Sequence, residues 1–276
     1  MAGQSGQCVY PQGGRISGRT GTRTLLTALT VYGLRFPAAW LLQRLFPAQG
    51  AATQYVILIL QEGLIYLLPA VLLGGGVLHR PHPRPAYMIM VLAAGVLAQY
   101  AFSALGDVWA RMVGMHASAV ALPATPAEGV LAVLALVVMP AVAEESFFRG
   151  LLQRGLAKQM SPRGAWLLSA AVFTLMHGSL SGLAGHVCCG LLLGACLLGT
   201  DSLPLCILLH GAYNAAALWW SLYPVQHVQL LPAVCGAALV GLAAYWVHGK
   251  RGHGRLNGLE TVLAAALLAL EAARYW

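Results

Sequence analysis

The chain has very little charge to place in water. Only 9% of its 276 residues are Asp, Glu, Lys or Arg, against 59% hydrophobic residues, where a soluble domain carries about 25% charged residues. An ordinary water-soluble enzyme is excluded on that ground, and a polytopic membrane protein is expected. Acids are scarcest, 8 against 16 bases. In a membrane protein a basic excess marks cytoplasmic loops rather than nucleic acid, so no nucleic-acid partner is expected. The N-terminal region has no apolar stretch behind a short basic start, which argues against a signal peptide. Cys188, Cys189, Cys196, Cys206 and Cys235 lie in apolar stretches without ligand spacing, so they read as small buried hydrophobes and not as a disulfide framework. There is no internal repeat, which disfavours a carrier built from matching halves, and no HExxH.

What is present is a series of apolar stretches long enough to cross a bilayer, broken at Pro, Gly and charge clusters. The expected fold is all-α, a transmembrane helical bundle of about eight spans, at 24–46, 54–78, 86–108, 128–157, 163–178, 183–199, 203–222 and 228–248. Arg35 and Pro37 make the first the least regular. Residues 1–22 read as a flexible basic tail, 24–127 as N-terminal spans, 128–222 as the part that carries chemistry, and 223–276 as the last span and an interfacial helix at 256–276. Eight crossings put Arg15, Arg19, Arg23, Arg80, Arg84, Arg154, Lys158, Arg163, Lys250, Arg251 and Arg255 on one side, with both termini cytoplasmic. Gly190 and Gly194 form a GxxxG in the sixth span and predict close helix packing.

Against this background one stretch stands out: Glu144, Glu145 and Arg149 follow the apolar run 130–142. Ionisable groups at the centre of a membrane helix cost roughly 2.5 to 3.5 kcal/mol each by insertion scales and mark functional sites by default. Glu145 and Arg149 are four apart and share a face, whereas Glu144 is turned about 100° away. The spacing predicts Glu145 held by Arg149, with Glu144 free for chemistry. A purely structural ion-pair knot would have little reason to keep the second carboxylate.

The other polar groups of the later spans are His177, His186, and His210 with Asn214 on one helical face. Counted from a turn at 160–162, Glu144 and His177 are nearly equidistant, which places them at one level of an antiparallel hairpin, roughly 20 to 25 Å from its tip. His210 and Asn214 lie roughly 10 to 17 Å into the seventh span, so the four groups are expected to meet in one pocket. A carboxylate, two imidazoles and an amide suit water activation and oxyanion stabilisation, the chemistry of amide hydrolysis. His186 reads as packing or support, and His79 and His82 as solvated loop residues. A zinc site from Glu144, His177 and His210 is chemically possible but not favoured, and no cofactor is expected.

Glu144-Glu145-x-x-x-Arg149, Phe173-x-x-x-His177 and His210-x-x-x-Asn214, in this order and each in a hydrophobic helix, resemble the CAAX prenyl protease and bacteriocin-processing family of glutamate-type intramembrane endopeptidases. The resemblance covers about residues 128–222. It implies a bundle open to the cytoplasm in which Glu144 and His177 activate water, His210 and Asn214 form the oxyanion hole, and Glu145 and Arg149 hold the site together. The implied partners are a membrane-associated protein or peptide substrate and the lipid bilayer. The expected location is a bacterial cytoplasmic membrane, and the oligomeric state is left open. Two other readings stay open: a sorting-type protease of the same family that removes membrane-anchor signals of exported proteins, and a non-enzymatic proton-coupled carrier or immunity factor.

Overall fold

A computed structural model of the protein describes residues 19–46, 50–73, 85–115, 121–224 and 231–248. These form eight helices and, among the described residues, no strand. They are α1 Arg19–Leu45, α2 Ala51–Leu73, α3 Pro85–Val113, α4 Pro126–Ala157, α5 Pro162–His177, α6 Leu183–Thr200, α7 Leu203–Leu222 and α8 Leu231–His248. The eight expected segments coincide with them to within a turn or two. α1 begins at Arg19, inside the stretch read as a tail. Five helices (α2, α3, α4, α6 and α7) are long and apolar enough to cross a membrane, and α5 has 16 residues. The tail up to residue 18, the loop with His79, Arg80, His82 and Arg84, the bases Lys250, Arg251 and Arg255, and the expected interfacial helix 256–276 lie outside the described residues.

The helix boundaries follow from local chemistry. Three helices of the motif-bearing half start on a hydroxyl cap with Pro in the first turn, where its missing N–H is no loss. Thr125 Oγ1 accepts from Glu128 N at 3.2 Å, Ser161 Oγ from Gly164 N at 3.1 Å, and Ser202 Oγ from Leu205 N at 3.4 Å. Glu128 returns the bond, its Oε2 accepting from Ala124 N at 2.8 Å, a reciprocal arrangement close to a capping box. α5 ends at Gly178 and α6 at Asp201, both left-handed, with φ of 61° and 53°. Left-handed residues at helix ends are a common stop signal.

The bundle is organised around two long helices. α3 packs on α6, α7 and α8, and α4 packs on α2, α5 and α7. α4 has 32 residues and is therefore about 48 Å long, more than the roughly 30 Å of hydrocarbon it would cross. Its far end is fastened by Arg154, whose Nη2 donates to Asp201 O at 2.9 Å and to Asp201 Oδ1 at 3.2 Å. The helical ladder of α4 is widened into π-type turns at Leu134–Val138 and again at Ser146–Gln153, immediately after the carboxylate pair. Such turns are rare and concentrate at functional sites. Ser169 of α5 donates to Phe148 O at 3.1 Å within the second of them.

Small residues set how near the helices come. A Cβ on Gly95 of α3 would run into Leu209 O and lie 2.7 Å from Ala212 Cβ and 2.9 Å from Tyr213 N. Leu209 and Tyr213 bracket His210 on α7, so this glycine sets the distance between α3 and the helix that carries two motif residues. Gly95→Ala should lower stability by about 1 to 3 kcal/mol, as overpacking usually does. The check is the midpoint of thermal unfolding in detergent, and an unchanged midpoint would mean that the two helices are not held at this distance.

Candidate active site

Glu145 and Arg149 are wholly buried, each with 0% side-chain exposure, and their Oε1–Nη1 distance is 3.0 Å. The second guanidinium nitrogen, Nη2, donates to Gly190 O on α6 at 3.0 Å. The guanidinium carbon lies 4.6 Å from the Phe173 ring centroid and 5.8 Å from that of Phe148. A planar cation with fixed donors suits such a slot, where an aromatic face takes up charge that no solvent reaches. The expected pairing of Glu145 with Arg149 is therefore the geometry found.

Glu145 also meets a third helix, which its position in the first motif did not announce. His210 Nδ1 of α7 is 2.8 Å from the same Glu145 Oε1. One carboxylate oxygen thus ties the π-type turn of α4 to α7, and through Arg149 to α6. His210 is itself buried, at 3% exposure. Asn214 follows one turn later on α7, is partly buried, and makes no side-chain hydrogen bond among the described residues.

Glu144 and His177 form the more accessible half. His177 Nε2 is 3.9 Å from Glu144 Oε2, and the His177 side chain is 24% exposed where that of Glu144 is 9% exposed. The level predicted from counting along the hairpin thus corresponds to side chains that face one another. His177 Nδ1 is 2.8 Å from Phe173 O. A carbonyl only accepts, so Nδ1 carries the proton and Nε2 presents a lone pair in the neutral ring. Glu144 Oε2 is buried and has no hydrogen-bond partner among the described residues. At 3.9 Å the two acceptors are too far apart to bond and near enough for one water to donate to both.

Among the described residues no three of His, Cys, Asp and Glu converge as a metal site. Glu145 is engaged by Arg149 and His210 and is not free to serve as a base beside a metal held by Glu144, His177 and His210. No step below passes through a metal ion.

Three contributors were not singled out as site residues by the motif reading. Gln153, one turn after Arg149, is wholly buried and donates from Nε2 to Gly194 O at 3.0 Å. Arg149 and Gln153 on α4 therefore bond the carbonyls of Gly190 and Gly194 on α6, and the GxxxG exposes backbone to side-chain donors as well as easing close packing. The matched i, i+4 spacing on both helices is the signal that would have shown it. Arg35 of α1, which read only as an interruption of an apolar run, lies within electrostatic reach of Glu62, Glu144 and His177. Its Nη2 is 3.5 Å from where a Cβ on Gly178 would lie, next to His177. Glu62 of α2 has a buried Oε2 without a hydrogen-bond partner among the described residues and lies within electrostatic reach of Glu144. Both are charged residues among mostly apolar neighbours, and charges in such surroundings point to function by default.

Five helices long and apolar enough to cross a membrane, packed around a buried ion pair and a facing carboxylate and imidazole, point to an integral membrane protein. Residues 126–216, about a third of the chain, match a family model described as Rce1-like, type II CAAX prenyl endopeptidase Rce1-like. All three motifs fall inside the match, which is the family they resemble. It supports intramembrane peptidase activity. No curated protein and no solved structure matches the chain.

Removing Arg149 leaves a buried carboxylate with only an imidazole beside it, and breaking a buried pair from one side typically costs about 3 to 5 kcal/mol. Arg149→Ala is expected to lose that much stability or fail to accumulate. Arg149→Lys, which keeps the charge but not two forked donors, should recover only part. Chemical denaturation of the detergent-solubilised variants measures both, and equal stability of all three proteins would contradict the role of the pair.

Proposed function

We propose that the protein is an intramembrane endopeptidase that hydrolyses a peptide bond of a membrane-associated protein or peptide with water activated by Glu144 and His177. The observation that carries this reading is the facing of Glu144 Oε2 and His177 Nε2 at 3.9 Å, two acceptors of which the carboxylate oxygen has no hydrogen-bond partner among the described residues. A water donating one hydrogen to each presents its oxygen lone pair to a substrate carbonyl. As the C–O bond forms, one proton passes to the Glu144–His177 pair. The carbonyl oxygen becomes an oxyanion. When the C–N bond breaks, the same proton goes to the departing amine, and the pair returns to its starting state.

His210 and Asn214 are the proposed donors to the oxyanion. His210 has its Nδ1 at Glu145, which leaves Nε2 as the nitrogen for a substrate, and Asn214 has an amide not committed elsewhere among the described residues. Donation from Nε2 while Nδ1–H remains on Glu145 requires a proton on both ring nitrogens. Glu145, Arg149 and Gln153 orient this half without touching substrate. The description of the matching family names a prenylated CAAX end as what its members cut, and a substrate anchored by a lipid is consistent with a site inside an apolar bundle. We further propose that the bundle crosses the bilayer eight times, with the α4–α5 turn and its Arg154, Lys158 and Arg163 in the cytoplasm.

The test is proteolysis in proteoliposomes, with a fluorogenic peptide that carries a prenylated CAAX end as first probe. A comparison of membrane proteomes for a protein whose terminus shifts serves as the substrate-independent arm. Glu144→Gln should lower turnover by about 10² to 10⁴, the range for a general acid–base group, and abolish the terminus shift. Wild-type cleavage by a Glu144→Gln protein that inserts normally would overturn the reading. Loss of one oxyanion donor costs about 10² to 10³ in turnover. Asn214→Ala is accordingly expected to slow kcat by that factor with little change in KM, and a change in KM alone would move Asn214 from the oxyanion to substrate binding.

A further inference from the structure

The connection between α5 and α6 is short and heavily fastened. Gly178 turns it left-handed at φ 61°, Gly182 N donates to Ser179 Oγ at 3.1 Å, and Ser179 Oγ and Ser181 Oγ are 3.1 Å apart. From α3, Trp109 Nε1 donates to Leu180 O at 2.8 Å. This fixes the first turn of α6 against the last turn of α5, and with it two imidazoles. The His177 and His186 rings lie with centroids 4.1 Å apart and planes inclined at 33°. On α5 itself, Phe173 lies 4.4 Å from the His177 ring centroid.

We propose that His186 is a positioning residue of the site: its ring, stacked on that of His177, keeps His177 Nε2 turned toward Glu144. The inference rests on the catalytic reading of His177 given above. The bond from Nδ1 to Phe173 O sets the orientation of the imidazole and the Phe173 ring packs beside it, but a hydrogen bond tolerates angles down to about 120° and so leaves the ring some swing about its Cβ–Cγ bond. A flat neighbour at stacking distance removes that freedom. The sequence makes room for the neighbour. A Cβ on Gly182 would lie 2.7 Å from His186 Cε1 and 3.1 Å from His186 Nδ1, so the His186 ring lies over Gly182, and any larger residue there would displace it. Gly182 has φ of −88° and ψ of 0°, a conformation open to other residues. What requires glycine at this position is the ring above it, not the backbone.

Two changes disturb the stack in different ways. His186→Ala removes the ring, whereas Gly182→Ala leaves the imidazole intact and pushes it aside. Each is expected to lower kcat by about 10- to 100-fold, the scale for a reacting group displaced by an ångström, with KM within about twofold of wild type. His186→Phe restores a flat ring without nitrogens and should recover most of the lost kcat. Histidine NMR with nitrogen-labelled protein gives a readout independent of substrate: the Nδ1–H resonance of His177, slowly exchanging in the wild type, should exchange rapidly in His186→Ala and Gly182→Ala. If His186→Ala matches wild type in rate and in that resonance, or if His186→Phe is as slow as His186→Ala, positioning by stacking is wrong. His177→Ala separates this from failure of the catalytic reading. An inactive His177→Ala beside a fully active His186→Ala removes only the positioning role, whereas a fully active His177→Ala removes the reading on which it rests.

Discussion

A single carboxylate oxygen, Glu145 Oε1, is the constraint on which the motif-bearing half of the molecule depends. It takes Arg149 on its own helix and His210 from α7, while the other arm of Arg149 reaches the Gly190 carbonyl of α6. Three helices are thereby fixed relative to each other at one point from which water is excluded. In such surroundings a mismatch by one residue in any of the helices would leave a charge without a partner, and the price in free energy is far above that of a lost apolar contact. The knot therefore sets register as much as it adds stability. Glu144, one residue earlier, inherits its direction from that register.

Around the knot, small residues turn a loose association into a close one. Without a hydrophobic drive between helices in lipid, approach depends on shape and on polar contacts. Gly95 lets α3 reach the backbone of α7. Gly190 and Gly194 bring α6 against α4 and α5, where a Cβ on Gly190 would be 3.1 Å from Phe173 and one on Gly194 would strike Trp166. Their carbonyls are then near enough for Arg149 and Gln153. Trp166 Nε1 adds a bond to Leu191 O at 2.9 Å, so α6 receives donors from two neighbouring helices.

Much of this was legible in the chain. Hydropathy and the punctuation by Pro, Gly and charge clusters gave eight helices with nearly correct limits, because breakers act locally. Spacing gave the Glu145–Arg149 pair for the same reason. The facing of Glu144 and His177 followed from counting along a hairpin, which works because two antiparallel helices share one rise per residue. What could not be read was rotation about helix axes. Nothing in the spacing of His210 and Asn214 says how far α7 is rotated about its axis, so the turn of the histidine toward Glu145 shows only in the packed bundle. Gln153 was hidden by being an uncharged polar residue at what looked like the end of a span. Arg35 and Glu62 were hidden by sequence distance: they belong to helices outside the three motifs.

The placement of the buried ion pair also bears on how α4 enters the bilayer. Glu145 and Arg149 stand on adjacent turns of one helix, so α4 brings its own counter-ion and need not wait for α6 or α7, made later by the ribosome, before leaving the insertion machinery. Glu144 alone is then left to travel with a net charge or a borrowed proton. The three ionisable groups in the middle of α4 are thus reduced, during biogenesis, to the burden of one.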